Sequence, residues 1–207
     1  MSDRTPAPGP RAGSTGKGSR RRTVLLDTAE RILWESGYAA LTLRAVASTA
    51  GVRLGHLQYY FPARADLVAA VLRRSLDRSL ERLASLLAPA DAGPPPDPAD
   101  LVRALLAEQD DPHLVRVYAE LWALAGRDED VAAVVRGFYR DYRTHVAAFI
   151  RTREPGLPEE ARAARAGVFT MLLEGAALFR SGLAAHRSEA TDAELVATAA
   201  ALLGPVP

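Results

Sequence analysis

Apolar residues recur at three- and four-residue intervals along most of the chain, and nowhere do they alternate with polar ones over the length of a strand. That periodicity predicts an all-α fold of about nine helices. The first helix is expected from about Ser19 to Ser36, with Leu25, Leu26, Ala29, Ile32 and Leu33 at helical spacing and Gly37 as its end. A long one follows from about Arg64 to Ala88, carrying Val68, Val71, Leu72, Leu76, Leu80, Leu83 and Leu87. At the usual rise per residue it spans roughly 37 Å, enough to serve as a rigid connector between two parts. Asp97-Pro98 and Asp111-Pro112 each pair a capping acid with proline in a first turn, predicting helices over 98–109 and 112–125. Val131, Val135, Phe138, Tyr142, Val146 and Phe149 form one stripe of a helix over 128–153, which Glu154-Pro-Gly-Leu-Pro158 breaks. Two more are expected over 158–185 and 192–203, the second opened by the capping box Thr191-Asp-Ala-Glu194. Residues 89–97 read as a loop.

Between the first helix and the long one, Thr42 to Pro62 predicts two short helices joined by a tight turn. Thr42 caps the first, over 43–50, Gly51 turns the chain, and the second runs over 53–60 until Pro62. Ala47 is small enough for a close crossing, and Val46, Ala50, Val52 and Leu57 can seal it. This is the helix-turn-helix pattern, whose second helix lies in the DNA major groove. The residues left outward on that helix are Arg53, Gly55, His56, Gln58 and Tyr59. Spacing alone favours an ordinary helical hairpin with a solvated face.

Composition sharpens the choice. Of the 207 residues none is cysteine, which removes thiol catalysis, disulfides and thiolate metal sites and agrees with a reducing cytoplasm. No stretch approaches the roughly 20 apolar residues of a membrane span, and no signal-peptide core opens the chain. Residues 1–64 hold ten Lys or Arg against four Asp or Glu, whereas the remainder is net acidic. A basic end that contains the helix-turn-helix suits contact with phosphates. Residues 1–18, rich in Pro and Gly, read as a disordered basic tail leading into Arg20-Arg21-Arg22, either a DNA arm or a solvated tail. Gly16-Lys17-Gly18 is not a phosphate-binding loop, because no hydroxyl follows the lysine and no strand precedes it.

The run Gly51-Val52-x-x-Gly55-x-Leu57-x-Tyr59-x-Phe61-Pro62-x-Arg64-x-Asp66-Leu67 resembles the recognition region of the TetR family of bacterial transcription regulators. The resemblance is close over residues 20–67 and only architectural beyond them. It implies a DNA-binding head over 19–64 and a helical ligand-binding and dimerisation domain over 65–207. In such a head Arg44 and Arg53 are candidates to read guanine, followed by His56 and Gln58. Thr42, Tyr59, Tyr60 and Arg64 are candidate phosphate clamps, and Gly55 permits close backbone approach. Three positions depart from the family. Gln58 replaces a tyrosine, so its amide either pairs with adenine or reaches the backbone. Leu54 replaces a polar residue, to touch a thymine methyl or to weaken phosphate binding. Ala63 lacks a capping hydroxyl.

The larger domain gathers Tyr118, Trp122, Phe138, Tyr142, His145, Phe149, Met171 and Glu174, together with His113, Tyr139 and Phe169, as candidates for a small-molecule cavity or for plain core. Glu174, amid apolar neighbours, needs a partner: Arg180 or a histidine, or else a cationic or hydrogen-bonding ligand. Phe169, Leu172, Leu173, Ala176, Phe179, Leu195, Ala199 and Leu202 exceed what one core face needs and are the expected homodimer surface. No cofactor is expected. The four histidines, at 56, 113, 145 and 186, lack zinc-site spacing, and no nucleophile elbow or dinucleotide-binding turn is present. The expected function is therefore a cytoplasmic, ligand-responsive regulator, more specifically a repressor, on a near-palindromic operator. A DNA-binding protein without ligand and a helical enzyme are the alternatives.

Overall fold

The computed structural model describes residues 14–88, 96–182, 184 and 186–205. Among them stand nine helices and no strand: α1 (Ser14–Ala40), α2 (Leu43–Thr49), α3 (Leu54–Tyr60), α4 (Arg64–Leu87), α5 (Pro98–Glu108), α6 (Pro112–Ala125), α7 (Glu129–Arg153), α8 (Glu159–Arg180) and α9 (Glu189–Leu203). Most of the expected tail and of the loop over 89–97 lies outside the described residues. The chain divides into two compact units, one ending at Val71 and the other beginning at Leu72.

In the first unit α1 begins earlier than its periodicity predicts, and Gly37, at φ 76°, breaks it before Tyr38–Ala40 form a separate turn. Thr42 caps α2 by accepting from the Ala45 amide at 3.1 Å. Gly51, at φ 65°, makes the left-handed turn that lets the Val52 amide bond back to the Ala47 carbonyl at 2.9 Å. The core joins Leu25, Ala29, Leu41, Val46, Leu57, Phe61 and Leu67, all essentially inaccessible. Full burial of a side chain such as Leu57 contributes about 2 kcal/mol. Ala63 has no hydroxyl to offer α4, yet half of a capping box survives, since the Asp66 carboxylate accepts the Ala63 amide at 2.8 Å.

In the second unit α7 packs against α6 and α8, while α9 covers α5 and α8. Leu101, Val102, Leu121, Val146, Ile150, Phe169, Leu173 and Leu203 fill the space between them. Asp97 and Asp128 cap α5 and α7 with their carboxylates. The start of α9 corrects an expectation. Ser188, rather than Thr191, is its cap, so the helix begins a turn earlier. Asp192 is thereby released for an ion cluster. Arg180 donates to Asp192 at 3.0 Å and to the Leu106 carbonyl at 2.8 Å, and its guanidinium lies 3.1 Å from Asp110. Arg187 bonds the same two acids. The cluster ties the ends of α5 and α8 to the start of α9. Burial alone would raise the Asp192 carboxyl, but hydrogen bonds from Arg180 and Arg187 hold it below the usual range. α8 stops at Arg180 rather than continuing to 185, and Gly182 follows at φ 83°.

Candidate functional site

Two separate features could act on other molecules. The first is the outer face of the helix-turn-helix. Because Leu57 and Phe61 anchor α3 inward, Arg53, Gly55, His56, Gln58 and Tyr59 are all exposed, with Leu54 and Tyr60 half-buried. Tyr59 is 80% exposed, far more than a tyrosine with a packing role. Its ring meets Tyr60 edge-on at 5.2 Å, and His56 stacks on Tyr60 at 6.0 Å. A side chain added at Gly55 would meet nothing within 4 Å. Glycine inside a helix costs roughly 1 kcal/mol relative to alanine, and nothing in this unit requires it. Arg44 is exposed on α2, and Thr42, though its oxygen is engaged at the cap, is exposed as well. A groove of about 590 Å³ brings Arg20 and Arg21 beside His56 and Tyr60. These two arginines extend the basic face beyond the helix pair.

Arg64 and Arg22 do something else. The Arg64 guanidinium donates to the Leu41 carbonyl at 2.7 Å and the Tyr38 carbonyl at 2.6 Å, and lies over the Tyr38 ring at 4.1 Å. It staples the turn after Gly37 to the start of α4. Arg22 lies over the Phe61 ring at 5.4 Å.

The second feature is a cavity of about 60 Å³ inside the second unit. Ser79 of α4, Leu105 and Glu108 of α5, Gln109, Leu114, Val115 and Tyr118 of α6, Tyr142 of α7, and Glu174 and Ala177 of α8 line it. Behind its aromatic wall Phe138 is the hub, 6.3 Å from Tyr118, 5.9 Å from Tyr142 and 5.0 Å from Tyr139. Trp122 donates its indole N–H to the Tyr139 hydroxyl at 2.9 Å, and Tyr139 is hydrogen-bonded to Glu174. Tyr118 donates to Ser79 Oγ at 3.0 Å. Burial pushes the Glu174 carboxyl up to about 7, with the Tyr139 hydrogen bond opposing it. Burial likewise pushes the Tyr118 phenol up to about 12 and raises Tyr139 and Tyr142. Arg180, one of the partners expected for Glu174, is held by the ion cluster instead.

Of the residues expected at this site, Tyr118, Tyr142 and Glu174 line the cavity, and Trp122 and Phe138 support its wall. The others stand apart. His145 is hydrogen-bonded at Nδ1 to the Asp141 carbonyl of its own helix, Phe149 is buried beneath Arg153, and Met171 is 72% exposed. The side chain of His113 is outside the described part. Ser79, Glu108 and Gln109 carried no signal in the sequence, because a helix stripe does not announce which of its polar neighbours faces a void. Among the described residues, no cluster of His, Asp and Glu could hold a metal ion.

The expected dimer surface divides. Phe169, Leu173, Ala176 and Ala199 belong to the unit's own core, Leu172, Leu195 and Leu202 are half-buried, and Phe179 is exposed. The apolar stripe that faces outward on α8 is Val168, Met171 and Phe179. No described helix is long and apolar enough to cross a membrane.

Comparison with known proteins agrees with this arrangement. Residues 25–71 match the sequence profile of bacterial regulatory proteins of the tetR family. An HTH-type transcriptional regulator encoded in the dhlA 5' region of Xanthobacter autotrophicus is 34% identical over a match covering 56% of this chain and 59% of that protein, under two thirds of its length. The HTH-type regulator BetI of Rhizobium meliloti is 27% identical over 81% of this chain and 78% of its own. Among solved structures, a transcriptional regulator from Saccharomonospora viridis in complex with choline is similar at TM-score 0.66 and 19% identity, covering 87% of this chain and 94% of that one. The multidrug binding protein EbrR complexed with imidazole is similar at TM-score 0.64 and 25% identity, covering 90% and 96%. The helix-turn-helix over residues 25–71 is thus that of bacterial regulatory proteins of the tetR family, and the fold of the chain is the one these solved regulators share.

Proposed function

We propose that the protein is a ligand-responsive transcriptional repressor that acts in the cytoplasm, binds a near-palindromic DNA operator as a homodimer, and releases it when a small molecule enters the cavity of the second unit. The observation that carries the reading is the face of α3. A helix anchored by Leu57 presents arginine, histidine, glutamine and tyrosine outward, around a glycine that the fold does not need. Arg53 supplies the two-pronged donor that suits guanine, and Arg20, Arg21, Thr42 and Tyr59 supply donors suited to phosphates.

The ligand half of the reading rests on the cavity, with its half-buried carboxyl and tyrosine wall. The choline and imidazole held by two similar structures support it by analogy of fold. α4 begins with Arg64 in the head and contributes Ser79 to the cavity. A ligand that prefers one position of α4 thereby shifts the heads, by no more than its difference in affinity for the two positions.

Selection of binding sites from a random pool of duplex DNA by the full-length protein tests the reading. The expected product is a motif of two inverted half-sites centred about one helical turn apart or a multiple of it. A pool without enrichment contradicts it.

A further inference from the structure

Resting on the reading of the cavity as the effector site, we propose that its effector is a small protonated organic base, whose N–H groups meet Glu174 and Gln109 and whose apolar part lies against Tyr118 and Tyr142. The polar groups around the cavity are mainly acceptors. Among the described residues no basic side chain pairs with Glu174, whose hydrogen-bond partner is the Tyr139 hydroxyl. Gln109 donates its Nε2 to the Leu173 carbonyl at 3.0 Å, which fixes the amide orientation, and its Oε1 is a buried acceptor with no donor. Such an atom costs free energy until a donor reaches it.

The donors close by are already engaged. Arg82 bonds Glu108 at 3.1 Å and Ser79 at 3.0 Å, and the Tyr118 proton goes to Ser79. The Tyr142 hydroxyl can act either way. An anion would therefore meet Glu174 and Glu108 with one guanidinium already committed, while a cation gains the carboxylate, the Gln109 oxygen and the tyrosine faces together. The volume of about 60 Å³ corresponds to roughly four to six waters, so the occupant has about as many non-hydrogen atoms.

The state of Glu174 supplies an independent handle. With its carboxyl raised to about 7 by burial, the empty site below about pH 7 holds a proton that a cation must displace. The groups that face it are Tyr139 and Tyr142 from α7, Tyr118 from α6 and Glu108 from α5, the last paired with Arg82 from α4. None of these supplies an unpaired positive charge in its place.

The test uses the full-length protein and four probes of matched size, butylammonium, tetramethylammonium, 1-butanol and butyrate, titrated calorimetrically at millimolar concentrations. Butylammonium is expected to bind about tenfold or more tightly than the other three, because it alone brings both charge and N–H donors. Its affinity should fall about tenfold per pH unit below pH 7, and Glu174→Gln should erase its advantage over butanol. The pH series on the unaltered protein serves even if that variant does not fold. Equal or tighter binding of butanol, butyrate or tetramethylammonium overturns the inference, as does a pH-independent butylammonium affinity. Butyrate that binds and releases DNA sinks the cation alone and leaves an effector site. Butylammonium that binds without releasing DNA upholds the charge preference and sinks the effector reading. Silence from all four probes overturns both.

Discussion

Glu174 shows how much a single residue's meaning depends on what surrounds it. In the sequence it is one carboxylate amid apolar neighbours that needs a partner, and the partner is a tyrosine hydroxyl rather than Arg180. Its carboxyl ionises at about 7 when folded, against an ordinary value of 4.5. Between those values the unfolded chain has lost its proton while the folded protein keeps it, so this group's contribution to stability is complete below about pH 4.5 and is lost as pH rises through about 7. Glu174→Gln should accordingly gain about 3 kcal/mol on the wild type between about pH 4 and about pH 8. Urea melts of the two proteins at both pH values, in the absence of ligand, check it; parallel pH profiles would show that Glu174 is solvated. Arg64 carries the complementary lesson. The same guanidinium that the sequence offers to a phosphate also fits two backbone carbonyls and a ring, contacts that no local pattern encodes.

At the scale of the element, most of the fold was legible because capping chemistry and periodicity agree. Thr42, Gly51, Asp97 and Asp128 act where their residue types say they should. Besides the earlier start of α1, two ends differ, the start of α9 and the end of α8, and these meet at the Arg180–Asp192 contact. A tertiary ion cluster claims Asp192 there, and no local pattern encodes that. The faces of α8 were less legible still, for apolar residues circle the helix and the sequence cannot say which arc the core takes. The core takes Phe169, Leu173 and Ala176, leaving Val168, Met171 and Phe179 outward. If two copies pair through this stripe, Met171→Lys combined with Phe179→Lys should turn a dimer into a monomer at micromolar concentration, with little loss of thermal stability in the protomer. Sedimentation equilibrium reads the outcome, and a double variant that stays dimeric would move the interface elsewhere.

Across the whole molecule, the division of charge separates a basic end from an acidic remainder, and the boundary between the two compact units, after Val71, falls near that division. The cavity was legible only in part, since its tyrosines lie on predicted stripes whereas Ser79, Glu108 and Gln109 come together from separate elements. The central claim is that α3 reads bases. If the protein binds a near-palindrome as a dimer, Arg53 is used twice and its removal is felt in both half-sites. Titration of full-length wild type and Arg53→Ala against the selected operator, and against the same duplex altered at one symmetric pair of positions, measures this directly. Each lost contact should cost about 1–3 kcal/mol, and the variant should no longer distinguish the altered duplex. If Arg53→Ala binds the operator as tightly and as selectively as the wild type, α3 is not the reading helix.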